Sequence, residues 1–242
     1  MKVAFISDIH GNLEALESVL RDIEKEGVEK IHFLGDVVGY GCDPNECVKL
    51  VATHCEFKLL GNHDFAAMGL ESIENFNQVA QASMTWTIEK ITKKSVSFLA
   101  DFEMDADFLD YHLVHASPEE PEQWHYILNA AHATAQFEHF SQSICFIGHS
   151  HIPAIFIRDR EGNITQMAKS SLKCSPEKRY LINVGSVGQP RDNDPHACYI
   201  IADTDSNQIN YRRVDYDVKT TQAKMKKARL PDFLIERLAV GQ

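Results

Sequence analysis

Residues 1–36 read MKVAFISDIHGNLEALESVLRDIEKEGVEKIHFLGD, and their rhythm changes twice. KVAFIS (2–7) is a short apolar run of strand type. Leu13, Leu16, Val19, Leu20 and Ile23 then fall on one face of a helix. KIHFLG (30–35) is a second strand. Strand, helix and strand in this order pair in parallel through a crossover. The rhythm continues with a helix starting near Asp43-Pro44, an N-cap followed by proline at the first helical position. EFKLLG (56–61) reads as a third strand.

Residues from about 65 to 105 carry no strand signal and are rich in Ala, Gln, Met, Glu and Lys, which predicts helices. YHLVH (111–115), ICFIG (144–148) and AIFIRD (154–159) return to strand, with a helix expected over 129–140. The rest is β-rich: YLINVG (180–185), then CYIIADT (198–204) and INYRRVD (209–215) around a DSNQ turn. Two helices, over about 217–239, are broken at Pro231. No repeat or low-complexity linker divides the chain, so residues 1–242 read as one α/β domain, and strands in two groups predict two sheets.

A hydrophobic fraction of 44% and a charged fraction of 24% exclude disordered and collagen-like classes. The net charge of −11 opposes long nucleic acids and anionic membranes. The first apolar run ends at Asp8, and no run reaches the about eighteen residues of a membrane span, so a cytoplasmic protein without membrane association is expected. The cysteines at 42, 47, 55, 145, 174 and 198 form no CxxC pair. Cys55, Cys145 and Cys198 sit in apolar runs and read as buried free thiols.

The chemistry is concentrated where strands end. Asp8-Ile9-His10, Gly35-Asp36, Gly61-Asn62-His63-Asp64, His115 and Gly148-His149-Ser150-His151 each close an apolar run. Loops at the carboxyl ends of parallel strands converge on one crevice. In extended backbone, Asp8 and His10, and likewise His149 and His151, would share a face. Two carboxylates, four imidazoles and the Asn62 amide make mixed nitrogen and oxygen donors, which suit first-row divalent metals. Seven donors are too many for one tetrahedral ion and suit two ions sharing one carboxylate. A lone histidine at a strand end is usually structural, but five such coincidences together are not.

These blocks, in this order over roughly residues 1–190, resemble the ordered signature of the calcineurin-like metallophosphoesterase superfamily. NVGSVGQPRD (183–192) and the closing LPDFLIERL resemble its small bacterial and archaeal phosphodiesterase branch. The resemblance implies two mixed sheets packed as a sandwich with helices outside, in four layers. It also implies two divalent transition metal ions (Mn, Fe, Ni or Zn). Asp8, His10, Asp36 and His151 would hold one; Asp36 would bridge to the second, completed by Asn62, His115 and His149. Other branches carry an arginine in a GDxxxRG block. Here Tyr40 stands at that position, and Arg191 is the substitute candidate for holding a substrate phosphate.

The expected activity is therefore a phosphodiesterase acting on small phosphoesters or nucleotides, with metal-bridging hydroxide as the nucleophile. His63, beside the ligand Asn62, would protonate the departing oxygen, and Asp64 would orient His63. Asn62 would also touch substrate. The 65–105 helices and Trp124–Tyr126 are candidate walls of the pocket. The rival readings are a phosphomonoesterase of nucleotides or sugar phosphates and a non-catalytic scaffold of the same fold, like the retromer subunit that lacks the catalytic histidine.

Overall fold

In the computed structural model, which describes residues 1–242, the chain begins with β1 (Lys2–Ile6), α1 (Leu13–Lys25), β2 (Lys30–Phe33) and α2 (Pro44–His54). Three helices follow, α3 (Asn62–Ala67), α4 (Gln78–Lys90) and α5 (Lys93–Leu99), and then β3 (Asp105–Phe108) and β4 (Tyr111–Val114). α6 (Ala130–Gln136) precedes β5 (Ile144–Ile147), β6 (Ala154–Arg158), β7 (Ile164–Met167), β8 (Ser171–Lys173) and β9 (Arg179–Asn183). The last elements are β10 (Ala197–Asp203), β11 (Gln208–Val214), α7 (Val218–Lys227) and α8 (Asp232–Glu236).

The strands form a five-stranded sheet, β2-β1-β10-β11-β8, and a six-stranded sheet, β3-β4-β5-β9-β6-β7. Both are mixed: β1 pairs parallel with β2 and antiparallel with β10, while β4, β5 and β9 run parallel beside antiparallel β6. The two-fold alternation of side chains along β1 sets the layers. Val3 and Phe5 enter a core between the sheets with Leu113, Phe146, Ile182 and Ile200. Ala4 and Ile6 face the other way, onto Leu16, Val19 and Ile23 of α1. On the far side, Cys145, Ile147 and Leu181 pack with Ala133 and Phe137 beside α6. The result is helix, sheet, sheet, helix. Phe5 and Phe146 stack across the middle with ring centroids 4.1 Å apart, and each such buried side chain contributes about 1.5–3 kcal/mol.

Two sheets are present, as expected, but the first combines the earliest strands with the last ones, and the second takes most of those between. The central pairing of the first sheet joins β1 to β10, a contact between chain ends that local periodicity cannot reveal. Residues 56–61 form no named strand; Phe33–Lys58 and Leu59–Glu103 are isolated bridges, because the segment touches each neighbour at a single position. β7 and β8 were not foreseen, being short, exposed and polar. Asp43 stands at the start of α2 without a side-chain cap bond; its carboxylate instead takes the Lys224 ammonium at 2.9 Å. All six cysteines are free. No helix is long and apolar enough to cross a membrane.

Candidate metal centre

Four strands deliver the site. Asp8 and His10 follow β1, Asp36 follows β2, His115 follows β4, and His149 and His151 follow β5. Asn62 and His63 open α3. The loops are stitched across the sheets: the backbone N–H of Asp8 donates to Gly35 O at 3.0 Å, that of His149 to Asp8 Oδ2 at 3.0 Å, and that of Gly148 to His115 O at 2.8 Å. Glycine is required where these loops touch. A Cβ at Gly148 would lie 2.5 Å from Asp8 Oδ2, and one at Gly61 would fall on the Asp36 carboxylate.

The side chains converge in three adjoining groups. His151 Nε2 lies 3.4 Å from Asp8 Oδ1, and His10 Nε2 lies 3.8 Å from the same oxygen. Asp36 Oδ2 is 3.7 Å from His10 Nε2 and 3.4 Å from His115 Nε2. Asp8, His10 and His151 therefore form one potential ligand set, and Asp36, His115 and His149 form another. A third set contains His10, Asp36 and His63, so His63 also stands within reach of a cation.

The extended-backbone expectation for these pairs is overturned. Asp8, His10, Asp36, His149 and His151 all have positive φ, between 49° and 65°. A left-handed residue other than glycine costs about 1–2 kcal/mol. The chain turns at each ligand instead of running straight. Asp8 and His10 nonetheless share a set, whereas His149 and His151, also two residues apart, serve different ones.

The donors fit divalent cations on three observations. His10, His115 and His151 each direct Nδ1 at a backbone carbonyl, of Val38 (3.0 Å), Leu34 (2.7 Å) and Gln189 (2.6 Å). A carbonyl only accepts, so Nδ1 carries the proton and Nε2 presents a lone pair in the neutral ring. His10 Nε2 and His151 Nε2 then face each other at 3.0 Å with nothing to donate; a cation resolves that contact. Finally, Asp8 Oδ1, Asn62 Oδ1, His115 Nε2 and His149 Nε2 are buried without a hydrogen-bond partner, which is costly unless a ligand satisfies them.

Electrostatics agree. Burial pushes His10 and His151 well below the usual imidazole range and His149 to about 3. Burial, reinforced by Asp36, raises Asp8 to about 7. Burial also opposes a charged His115, yet Asp36 and Asp8 carry it up to about 9. Burial would raise Asp36, but His115, His63 and His10 hold it far below the carboxylate range. The cavity thus takes up protons where it would otherwise take up metal.

His63 is buried under the helical segment, with Met84 Sδ 3.1 Å from Nδ1 and the Phe76 ring edge-on at 4.9 Å. Burial lowers it to about 4. Asp64 does not touch this ring, which corrects the expectation that it orients His63. Its oxygens are occupied by backbone N–H groups of Asp36 (2.8 Å), Val37 (3.0 Å), Val38 (3.1 Å) and Gly61 (3.2 Å). As the third residue of α3 it faces back toward the β2 loop, away from its neighbour's side chain.

Aromatic groups line the mouth. Trp124 lies edge-on to His115 at 5.9 Å and donates through Nε1 to Glu71 at 3.1 Å, tying its loop to the helical segment. Tyr126, 51% exposed, stacks on His149 at 4.1 Å. The Tyr40 ring sits 4.5 Å from both His10 and His63, with the Arg191 guanidinium 5.5 Å above it. Arg191 binds Gln189 Oε1 through Nε and Nη2, at 3.2 and 2.8 Å. Met84 carries no sequence signal of its own, whereas Gln189 lies inside the GQPRD stretch that contains Arg191.

Buried carboxylates and imidazoles at the carboxyl ends of strands from two packed sheets define a metallophosphoesterase-type protein. The chain belongs to the calcineurin-like phosphoesterase superfamily, whose domain model matches residues 1–207. It is 40% identical over 244 residues to an uncharacterized protein of Methanocaldococcus jannaschii, with 99% of this chain and 98% of that one covered. A solved metallophosphoesterase from Sphaerobacter thermophilus is also 40% identical, with a TM-score of 0.88 over 100% of this chain and 99% of that chain. A solved protein of Pyrococcus horikoshii shares the fold at 19% identity, with a TM-score of 0.80 over 100% of this chain and 98% of that chain.

Proposed function

We propose that this protein is a dinuclear-metal phosphodiesterase acting on small phosphoesters or nucleotides. The observation that supports this reading best is the convergence of four partnerless buried donors, Asp8, Asn62, His115 and His149, on one crevice. Asp8, His10, Asp36 and His151 would hold one divalent ion, and Asp36, Asn62, His115 and His149 a second, both drawn from Mn, Fe, Ni and Zn. Such ions, when bound, neutralise phosphoryl oxygens and bring the pKa of water toward about 7.

The chain's own residues supply the rest. Arg191 stands over Tyr40, where it can hold a phosphate group of the substrate. His63, across the same Tyr40 ring, can pass a proton to the departing oxygen. Met84 only accepts at Nδ1, so that nitrogen keeps its proton and any transferred proton leaves from Nε2. Asp64 holds the Asp36 turn in place through the backbone. Tyr126 on one side and Tyr40 with Arg191 on the other give the two arms of a diester separate walls.

The net charge of −11 disfavours long polyanions and membrane surfaces, while small anions answer to local charge within a Debye length of about 8 Å. A cytoplasmic location is part of the same proposal. The test is a screen of the purified protein with Mn²⁺, Ni²⁺, Zn²⁺ and Mg²⁺ in turn, on bis-p-nitrophenyl phosphate, p-nitrophenyl phosphate and dinucleoside polyphosphates, with elemental analysis. Diester turnover above monoester turnover, with close to two metals per chain, is the expected result. Faster monoester turnover would replace the diesterase reading, and no turnover by metal-loaded protein would favour a scaffold.

A further inference from the structure

The C-terminal helices carry a second arginine into the crevice. Arg237, just after α8, donates through Nη1 to Gln189 Oε1 at 3.0 Å, the same oxygen that Arg191 Nη2 reaches at 2.8 Å. Two guanidinium groups are therefore gathered around one amide oxygen. Gln189 is itself 2% exposed, and its backbone carbonyl accepts His151 Nδ1 at 2.6 Å. One residue thus links both cations to a candidate metal ligand. Arg237 is further fixed by Phe233, whose ring lies 4.9 Å from its guanidinium carbon, and by the main-chain oxygen of Gln242 at Nε.

What this pair lacks is an acidic side chain: its one contact of anionic character is Arg237 Nε on the main-chain oxygen of Gln242, the last residue of the sequence. Arg212 pairs with Asp22 and Glu26, and Arg213 with Asp192 and Asp194; Arg179, also partly buried, spends its donors on the carbonyls of Phe137, Phe140 and Gln142. Neither Arg191 nor Arg237 has an acidic side chain within ion-pair distance. Burial, then the like charge of Arg191, pushes Arg237 down to about 10, the direction expected of two cations held together. Folding opposes such an arrangement unless an anion completes it. Planar guanidinium forks match phosphate oxygens.

We propose that Arg191 and Arg237 together form a second anion subsite beside the metal centre, and that the substrate is a phosphoester bearing another phosphate. This rests on the phosphoesterase reading above and narrows it to bisphosphorylated or polyphosphorylated molecules. One phosphate lies at the metal ligands, and the other lies between the two guanidiniums. The superfamily model ends at residue 207, so Arg237 comes from a segment outside the matched domain. That is where a substrate-selecting addition to a common centre would be found.

The test is calorimetric binding to the Mn²⁺-loaded full-length protein of two probes that differ by one phosphonate, methylphosphonate and methylenediphosphonate. The wild-type protein is expected to bind the diphosphonate at least about 10-fold more tightly. Arg237→Gln keeps an N–H donor near the Nε position, facing Gln242, but removes the charge and the Nη1 contact to Gln189, and should cut that preference to about 2-fold. Arg237→Lys should restore part of it. A preference that survives in Arg237→Gln comes from the metals alone and overturns the subsite, as does a wild-type protein with no preference. Should Arg237→Gln fail to fold, as circular dichroism would report, the Arg237→Lys and Arg191→Lys proteins decide. Each keeps the charge but loses the fork, so an unchanged preference in both overturns the proposal. Absence of any ester turnover would refute the phosphoesterase reading while leaving this binding measurement to decide the subsite.

Discussion

The Asp64 carboxylate accepts the backbone N–H of Asp36 at 2.8 Å, gripping a candidate metal ligand by its main chain. Asp36 is left-handed, with φ at 60°, and Val37 and Val38 donate to the same carboxylate. Asp64→Asn replaces one accepting oxygen with an NH₂ group that faces backbone donors. Hydrogen bonds to a charged group contribute about 1.5–3 kcal/mol each, so a loss of about 2–4 kcal/mol in chemical denaturation is expected, with weaker metal binding. The ratio of rates for good and poor leaving groups should stay at the wild-type value, which kinetics on substituted phenyl esters would check. A ratio shifted toward acidic phenols, at full metal occupancy, would mean that Asp64 acts through His63 after all.

Asp36 Oδ2 stands between the two ligand sets, 3.7 Å from His10 Nε2 and 3.4 Å from His115 Nε2. A carboxylate shared by two ions would tie the occupancy of both to one residue. Asp36→Asn should lose both, by about 10²-fold or more in affinity, whereas Asp8→Asn should spare the ion held by Asn62, His115 and His149. Metal titration with elemental analysis separates the two outcomes. A crystal grown with metal should show both ions touching Asp36; a single ion, or Asp36 turned away, ends the bridging assignment.

Most of the site could be found from sequence because each donor ends an apolar run, a local signal. Asp8 after KVAFIS and His149 after ICFIG are visible without knowing how the sheets pack. What escaped depends on distant contacts or backbone angles. The backbone is left-handed at Asp8, His10, His149 and His151, and two histidines that simple alternation places together part into different sets. The role of Asp64 follows from how α3 abuts the β2 loop. Arg237 lies in the LPDFLIERL stretch that the sequence marks out, but that it reaches Gln189 follows only from the docking of the C-terminal segment. The β1–β10 pairing is of the same kind.

Removing metal should make stability fall as pH rises from about 6.5 to 9. Asp8 is raised to about 7, by burial first and by the Asp36 charge against the opposing pull of His115. His115 reaches about 9, Asp36 overcoming burial. For each, the folded pKa exceeds the unfolded one, so its stabilisation is complete at low pH and is lost on passing the folded value. The lowered histidines, His10, His149 and His151, act oppositely, but their contribution is complete once the unfolded imidazole has titrated near about 6.5. Above that only the falling contributions remain. A drop of about 5 °C or more in melting temperature across this window is expected for metal-free protein, and saturating Mn²⁺ should flatten it. A metal-free melting temperature that rises with pH would mean that the cluster is not protonated in this way.

His63 is expected to move a proton and to be dispensable for metal. Its Nδ1 faces Met84 Sδ at 3.1 Å, a group that accepts but cannot donate, so Nδ1 holds a proton and Nε2 is left for the reaction. Burial lowers the ring to about 4; as a general acid it therefore needs the charge of a bound phosphate to raise it. Loss of the proton above that raised value should appear as an alkaline limb in kcat that His63→Asn lacks. General acids contribute about 10²–10⁴-fold, and His63→Ala should lose that order in kcat for alkyl esters. For esters of acidic phenols, whose oxygen departs without a proton, the loss should shrink toward unity. Metal content should remain near wild type. The opposing outcome is equally definite, because His63 also stands in the set with His10 and Asp36. If His63→Ala strips an ion, or slows both classes of ester alike, Nε2 is a metal ligand or a phosphate anchor and the proton comes from elsewhere.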